Sequence, residues 1–194
     1  MSTPLSIRLP VWLWLIAAIL AGQFRLLAHI PAPAVQGILL ALTALLLLVY
    51  FKVPSLRAWV DGLDLRALVL LHVTRFVGCY FLLLYQRGEL PYAYAVPGGW
   101  GDNLVAALAV LVSVLPMKVA TRRHAIAIWN TIGLLEMLLF VFTACQLGLQ
   151  SPWLMKAFTH LPLSLLPTFL LPLLLGTHVI IYLRMAREQK LPAL

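Results

Sequence analysis

Acidic residues are scarce. Six Asp and Glu stand against fourteen Lys and Arg in 194 residues, and only 10% of the chain is charged. A soluble domain carries about 25% charged residues, so an ordinary water-facing surface is excluded. Cysteine is equally sparse: Cys79 and Cys145 sit inside apolar runs, without zinc or redox spacing, and read as buried, inert thiols. Internal repeats and low-complexity tracts are missing, as are a Ser-His-Asp spacing, a zinc motif and a phosphate-binding loop. These absences weigh against an enzyme.

What is present is apolar: 63% hydrophobic residues and a mean hydropathy of +0.99. A membrane helix needs about 20 mostly apolar residues. Six segments qualify, at 10–30, 33–53, 66–86, 103–120, 125–149 and 161–184. The expectation is an all-α, polytopic transmembrane bundle forming one domain over residues 1–194. The first segment lacks a small-x-small cleavage site and continues past Arg25 to Ile30, so it reads as an uncleaved span.

The net charge of +8 does not indicate nucleic acid, because the basic residues cluster between apolar runs. Arg8; Lys52, Arg57 and Arg66; Lys118, Arg122 and Arg123; and Arg184, Arg187 and Lys190 place ten on one side, against Arg25, Arg87 and Lys156 on the other. The rich side is expected to be cytoplasmic, with both termini inside. This implies a bacterial inner-membrane location with lipid as the main partner, and leaves room for a membrane-protein partner or a homo-oligomer. Trp12, Trp14, Trp59 and Trp129 fall at expected inner ends and Trp100 and Trp153 at outer ones, as in an aromatic belt. Residues 54–65 read as an amphipathic inner-surface segment.

Arg75 is the anomaly, a charge inside the third span. Such a charge costs roughly 2.5 kcal/mol or more unless partnered. A rise of about 1.5 Å per residue converts sequence distance into depth. Glu136 on the fifth span then falls at the level of Arg75, and Asn130 lower. His72 and His178 each lie six residues from a basic inner end, Arg66 and Arg184, so they share a depth. His72, Arg75, Cys79 and Gln86 recur at steps of three, four and seven, as one helical stripe. Thr168 heads another stripe, through His178, on the sixth span. Gly133 shares a face with Glu136 and permits close helix approach. The expected site is therefore a polar seam among spans three, five and six: Arg75, Glu136, His72, His178, Asn130 and Thr168. Pro167 and Pro172 should also free the backbone carbonyls of Leu163 and Thr168, a pattern found at transporter binding sites. His124, His29 and His160 read as surface or interfacial residues.

Between the third and fourth spans, Pro97-Gly98-Gly99-Trp100-Gly101-Asp102-Asn103 reads as an outer loop, with Asp102 or Asn103 as the N-cap of span four. Gly88 to Asp102 resembles a Leu-Pro…Phe-Ala-x-Pro-Ala-Gly-x-Gly-Asp pattern of uncharacterised bacterial multi-pass membrane proteins. Those proteins precede it with Arg-x-x-Gly, matched by Arg75-Phe-Val-Gly78. They end with a Pro-Thr-Phe-x-x-Pro…His span, matched by Pro167-Thr-Phe-Leu-Leu-Pro172 and His178. The resemblance covers residues 70–182, with Tyr94 for the Phe, Gly98 for an Ala and Glu136 where an Asp is common. It implies no settled activity.

The leading functional expectation is handling of a small solute, ion or proton, as a transporter-like or accessory subunit. No cofactor is required by it. A second expectation is a b-type haem held by His72 and His178. A third is a lipid-directed enzyme at the outer face using Asp102, His160 or His29, and a fourth an assembly subunit without chemistry.

Overall fold

The computed structural model describes residues 3–190, with side chains through Glu188. The chain ends and the side chain of Lys190 lie outside the described residues. The described residues are all-α, with eight helices: α1 Leu5–Gln23, α2 Ala32–Lys52, α3 Pro54–Asp61, α4 Leu65–Leu70, α5 Gly78–Gln86, α6 Tyr92–Val114, α7 Val119–Gln150 and α8 Leu171–Lys190. A 3₁₀ tract, Leu71–Val77, links α4 and α5 into one rod. Six rods are long and apolar enough to cross a membrane, including Leu65–Gln86 and Leu166–Glu188. Large apolar side chains face outward on them, such as Leu40 (54% exposed) and Leu139 (64%). Water does not tolerate so much contiguous apolar surface, and lipid does. The chain is a multi-pass membrane protein.

Several span boundaries differ from expectation: the fifth span begins at Val119 rather than 125 and the sixth apolar segment at Leu166 rather than 161. Span one ends at Gln23, not Ile30, because Arg25 takes a left-handed conformation (φ 51°) and a short 3₁₀ turn, Leu26–His29, follows. Span four begins at Tyr92, behind Pro91, not at residue 103. Segment 97–103 is therefore not an outer loop but the body of α6. Neither Asp102 nor Asn103 caps a helix.

The described residues fall into two compact units. One comprises residues 3–62 and 144–176, the other 63–143 and 177–190. In the first, the short α3 is tied to α2 by the Tyr50 hydroxyl, which donates to Asp61 Oδ1 at 2.7 Å. Its last segment opens with a π-helical turn, Leu166–Leu170, ahead of Pro172. Pro172 has no N–H to give the carbonyl four residues back. That carbonyl, on Thr168, accepts the Trp14 indole N–H at 2.8 Å, while Leu163 O accepts from Leu166 N at 3.0 Å. The carbonyls expected to be free thus have protein donors. The half-buried Trp14 also makes an edge contact with Phe169, centroids 4.8 Å apart.

In the second unit, the rod from α4 through α5 is buried at Val69, His72, Arg75, Gly78, Phe81 and Leu84, every third residue. In a 3₁₀ helix residues i and i+3 eclipse, so the stripe runs straight instead of drifting. Thr74 Oγ1 reinforces the tight winding by donating to Leu71 O, three residues back, at 2.8 Å. This corrects the expected stripe: Cys79 and Gln86 are exposed and Gly78 takes the buried place. Cys79 is accordingly not a buried thiol; its Sγ lies 3.3 Å from Asn103 Oδ1. Trp129 is also not interfacial, being 2% exposed with its indole N–H donated to Val105 O at 3.0 Å.

Candidate functional site

The site lies within the second unit and is built around Arg75, 1% exposed. Its guanidinium meets three acceptors. Nε donates to Asp102 Oδ1 at 2.6 Å, Nη1 to Gly133 O at 3.0 Å, and Nη2 to Glu136 Oε2. The guanidinium spreads its donors over three nitrogens, each meeting a different acceptor here, whereas a lysine ammonium concentrates its donors on one atom. The structure thus brings Arg75 and Glu136 together, and adds a carboxylate from α6 that depth matching missed. One positive and two negative charges are gathered in an apolar setting.

Asp102 reaches this position because α6 crosses the 3₁₀–α5 rod at very close range. A Cβ on Gly78 would strike Gly99 O and come within 2.9 Å of Asp102 Cβ, and one on Gly99 would come within 2.8 Å of Gly78 O. The backbones touch because neither residue has a side chain. Gly98 instead faces the Phe140 ring, which packs against Tyr94 with centroids 4.3 Å apart. Gly101 faces Glu136: a Cβ there would lie 2.5 Å from Oε1. Pro97 is tolerated in the helix body, as prolines are in membrane spans.

The two histidines meet as their matched depths require, with ring centroids 4.2 Å apart and planes at 51°. Both are 0% exposed, as is Asn130. Asn130 Nδ2 donates to His178 O at 3.1 Å, so its Oδ1, 2.8 Å from His178 Nδ1, is left to accept the ring proton. This leaves His178 Nε2 as the lone-pair nitrogen. His72 Nε2 lies 3.2 Å from Thr177 Oγ1, a residue the sequence did not single out. His72 Nδ1 and His178 Nε2 are buried without a protein hydrogen-bond partner. The Trp129 ring meets His72 edge-on at 4.9 Å. His178 also packs against Gly133, where a Cβ would come within 2.9 Å of its Cε1, next to the carbonyl that Arg75 holds.

Thr168 makes its side-chain hydrogen bond elsewhere. It belongs to the first unit and its hydroxyl donates to Ser164 O of its own segment at 2.7 Å. The haem expectation does not fit. A metal–imidazole bond is about 2 Å, so two axial imidazoles on opposite porphyrin faces hold their nitrogens about 4 Å apart and their centroids farther still. Rings centred 4.2 Å apart leave no room for a porphyrin between them. Among the described residues no group of three or more His, Cys, Asp or Glu is gathered for a metal ion.

The signal for Asp102 was present in the sequence. Ala95, Gly99, Asp102, Ala106 and Ala109 recur at steps of four, three, four and three, and all are buried. Small residues at that spacing mark a membrane helix interface, and an aspartate within the series points at whatever the interface encloses.

Residues 32–186 match a family described as Domain of unknown function (DUF8737). No curated protein and no solved structure matches the chain.

Proposed function

Because the chain belongs to that family of unknown function, we propose a reading from its own site: an inner-membrane protein, transporter-like or an accessory subunit, that handles a proton or small cation at Arg75, Asp102 and Glu136. The observation that carries it is the charge balance. One guanidinium faces two carboxylates, with side chains 1%, 7% and 18% exposed. The sum is one uncompensated negative charge, and an apolar setting penalises a bare charge heavily. A proton or a monovalent cation removes the penalty. An anionic solute would double it.

His72 Nδ1 and His178 Nε2, buried without a protein hydrogen-bond partner, lie in the same unit as the cluster. The excess of basic residues on one side orients the protein with both termini cytoplasmic. Purified protein in liposomes with an entrapped pH-sensitive dye tests the reading. A proton flux should appear with wild type and fall to background with Asp102→Asn and with Glu136→Gln. Equal flux in wild type and both variants would overturn it.

A second reading, an ionic clasp without transport, draws on the way Arg75 ties α6 and α7 to one rod. It expects no flux from any variant, and loss of folding when a single partner is removed.

A further inference from the structure

We infer that the two carboxylates have different tasks: Glu136 takes up and releases the proton, and Asp102 is the fixed counter-ion of Arg75. This rests on the proposed reading of the cluster as a cation-binding site.

Asp102 is short, 7% exposed at its side chain, and bound to Arg75 Nε. It stands at the glycine crossing, where its Cβ already fills the space beside Gly78. Leaving Arg75 would require the two helices to part. Glu136 is constrained far less. Its side chain is longer by a methylene and 18% exposed, and the missing side chain of Gly101 gives its carboxylate room. On α7 it is bordered by Ile132, Leu135 and Leu139, which are 44%, 63% and 64% exposed. Glu136 therefore sits at the edge of the face turned to lipid, with one oxygen on Arg75 and the other against Gly101.

Uptake transfers one proton from a hydronium ion to a Glu136 oxygen, breaking the donor's O–H bond and leaving water, and takes the cluster from minus one to zero. The hydrogen bond from Arg75 Nη2 is released at the same time. The charged and titratable groups of the cluster are Arg75 on the third rod, which holds Glu136 directly, and Asp102 on α6, with His178 of α8 packed one turn away at Gly133.

A protonated carboxyl at a lipid edge reacts with a hydrophobic carbodiimide, which an ionised one resists. The full-length protein in liposomes is treated with dicyclohexylcarbodiimide across a pH series and mapped by peptide mass spectrometry. The adduct should form on Glu136, increase as pH falls and be absent from Asp102. Gly101→Ala should push the carboxylate away from Arg75 and move half-labelling to higher pH. Replacing choline chloride with sodium chloride should change nothing. An adduct on Asp102, no adduct on Glu136 at any pH, or protection by sodium would each overturn the inference. Wild-type labelling needs no variant to fold. Glu136 labelling in a protein that moves no protons would sink the transport reading and leave this assignment standing.

Discussion

Asp102 and Arg75 lie 27 residues apart in the chain and meet at 2.6 Å through a carboxylate oxygen and the guanidinium Nε. The pair turns a two-member bridge into a three-member cluster. It also ties the glycine-rich start of α6 to the centre of the third rod.

Removing the cation alone should therefore be costly. Arg75→Gln leaves two buried carboxylates facing each other, and breaking a buried pair in this way costs about 3–5 kcal/mol. Arg75→Met combined with Asp102→Asn and Glu136→Gln should recover most of that loss, since no charge is left unpaired. Thermal unfolding in detergent distinguishes the two variants, and a triple variant no more stable than Arg75→Gln would contradict the expectation.

The helix crossing makes a separate prediction. Gly78→Ala forces a methyl group against the Gly99 carbonyl, and overpacking of this kind costs about 1–3 kcal/mol. Gly37→Ala serves as the matched control, because an added Cβ there meets nothing within 4 Å. Its unfolding midpoint should not fall.

Much of this was legible in the sequence, and the misses have physical causes. Six spans follow from apolar length alone, and the meetings of Arg75 with Glu136 and of His72 with His178 follow from depth. The segment from Pro97 to Asn103 was misread because Pro-Gly-Gly marks a turn in water, whereas in lipid the same letters mark a close helix contact. The stripe through Cys79 failed because a regular α-helix was assumed where the chain winds as 3₁₀.

The proline in the last segment can be tested through its partner. Trp14→Phe keeps the aromatic contact but withdraws the donor to Thr168 O, which should cost about 1 kcal/mol. In a Pro172→Ala background the backbone N–H returns and the cost should shrink. A double-mutant cycle on unfolding midpoints reads the coupling, and full additivity would count against it.

Asp64 gives the pH-dependent case outside the spans. Its side chain accepts from Arg66 N at 2.9 Å and from Arg66 Nη2 at 2.6 Å. The Arg66 side-chain hydrogen bonds, then the backbone bond, hold its carboxyl below the ordinary 3.8. A lowered carboxyl stabilises the fold above the unfolded value, and that contribution is lost as pH falls through the folded one. Asp64→Ala should lower stability by about 1 kcal/mol at neutral pH, the worth of an N-cap. The difference from wild type should narrow below pH 3.8, as followed by unfolding in an acid series.

The 3₁₀ tract couples length to rotation in the third rod. Its seven residues, Leu71–Val77, rise about 2.0 Å and turn about 120° each, against about 1.5 Å and 100° in an α-helix. Rewinding the tract as α would shorten the rod by about 3.5 Å and twist its two ends by about 140° relative to each other. His72 and Arg75 both ride on that tract, so such a rewinding would turn one relative to the other by about 60°.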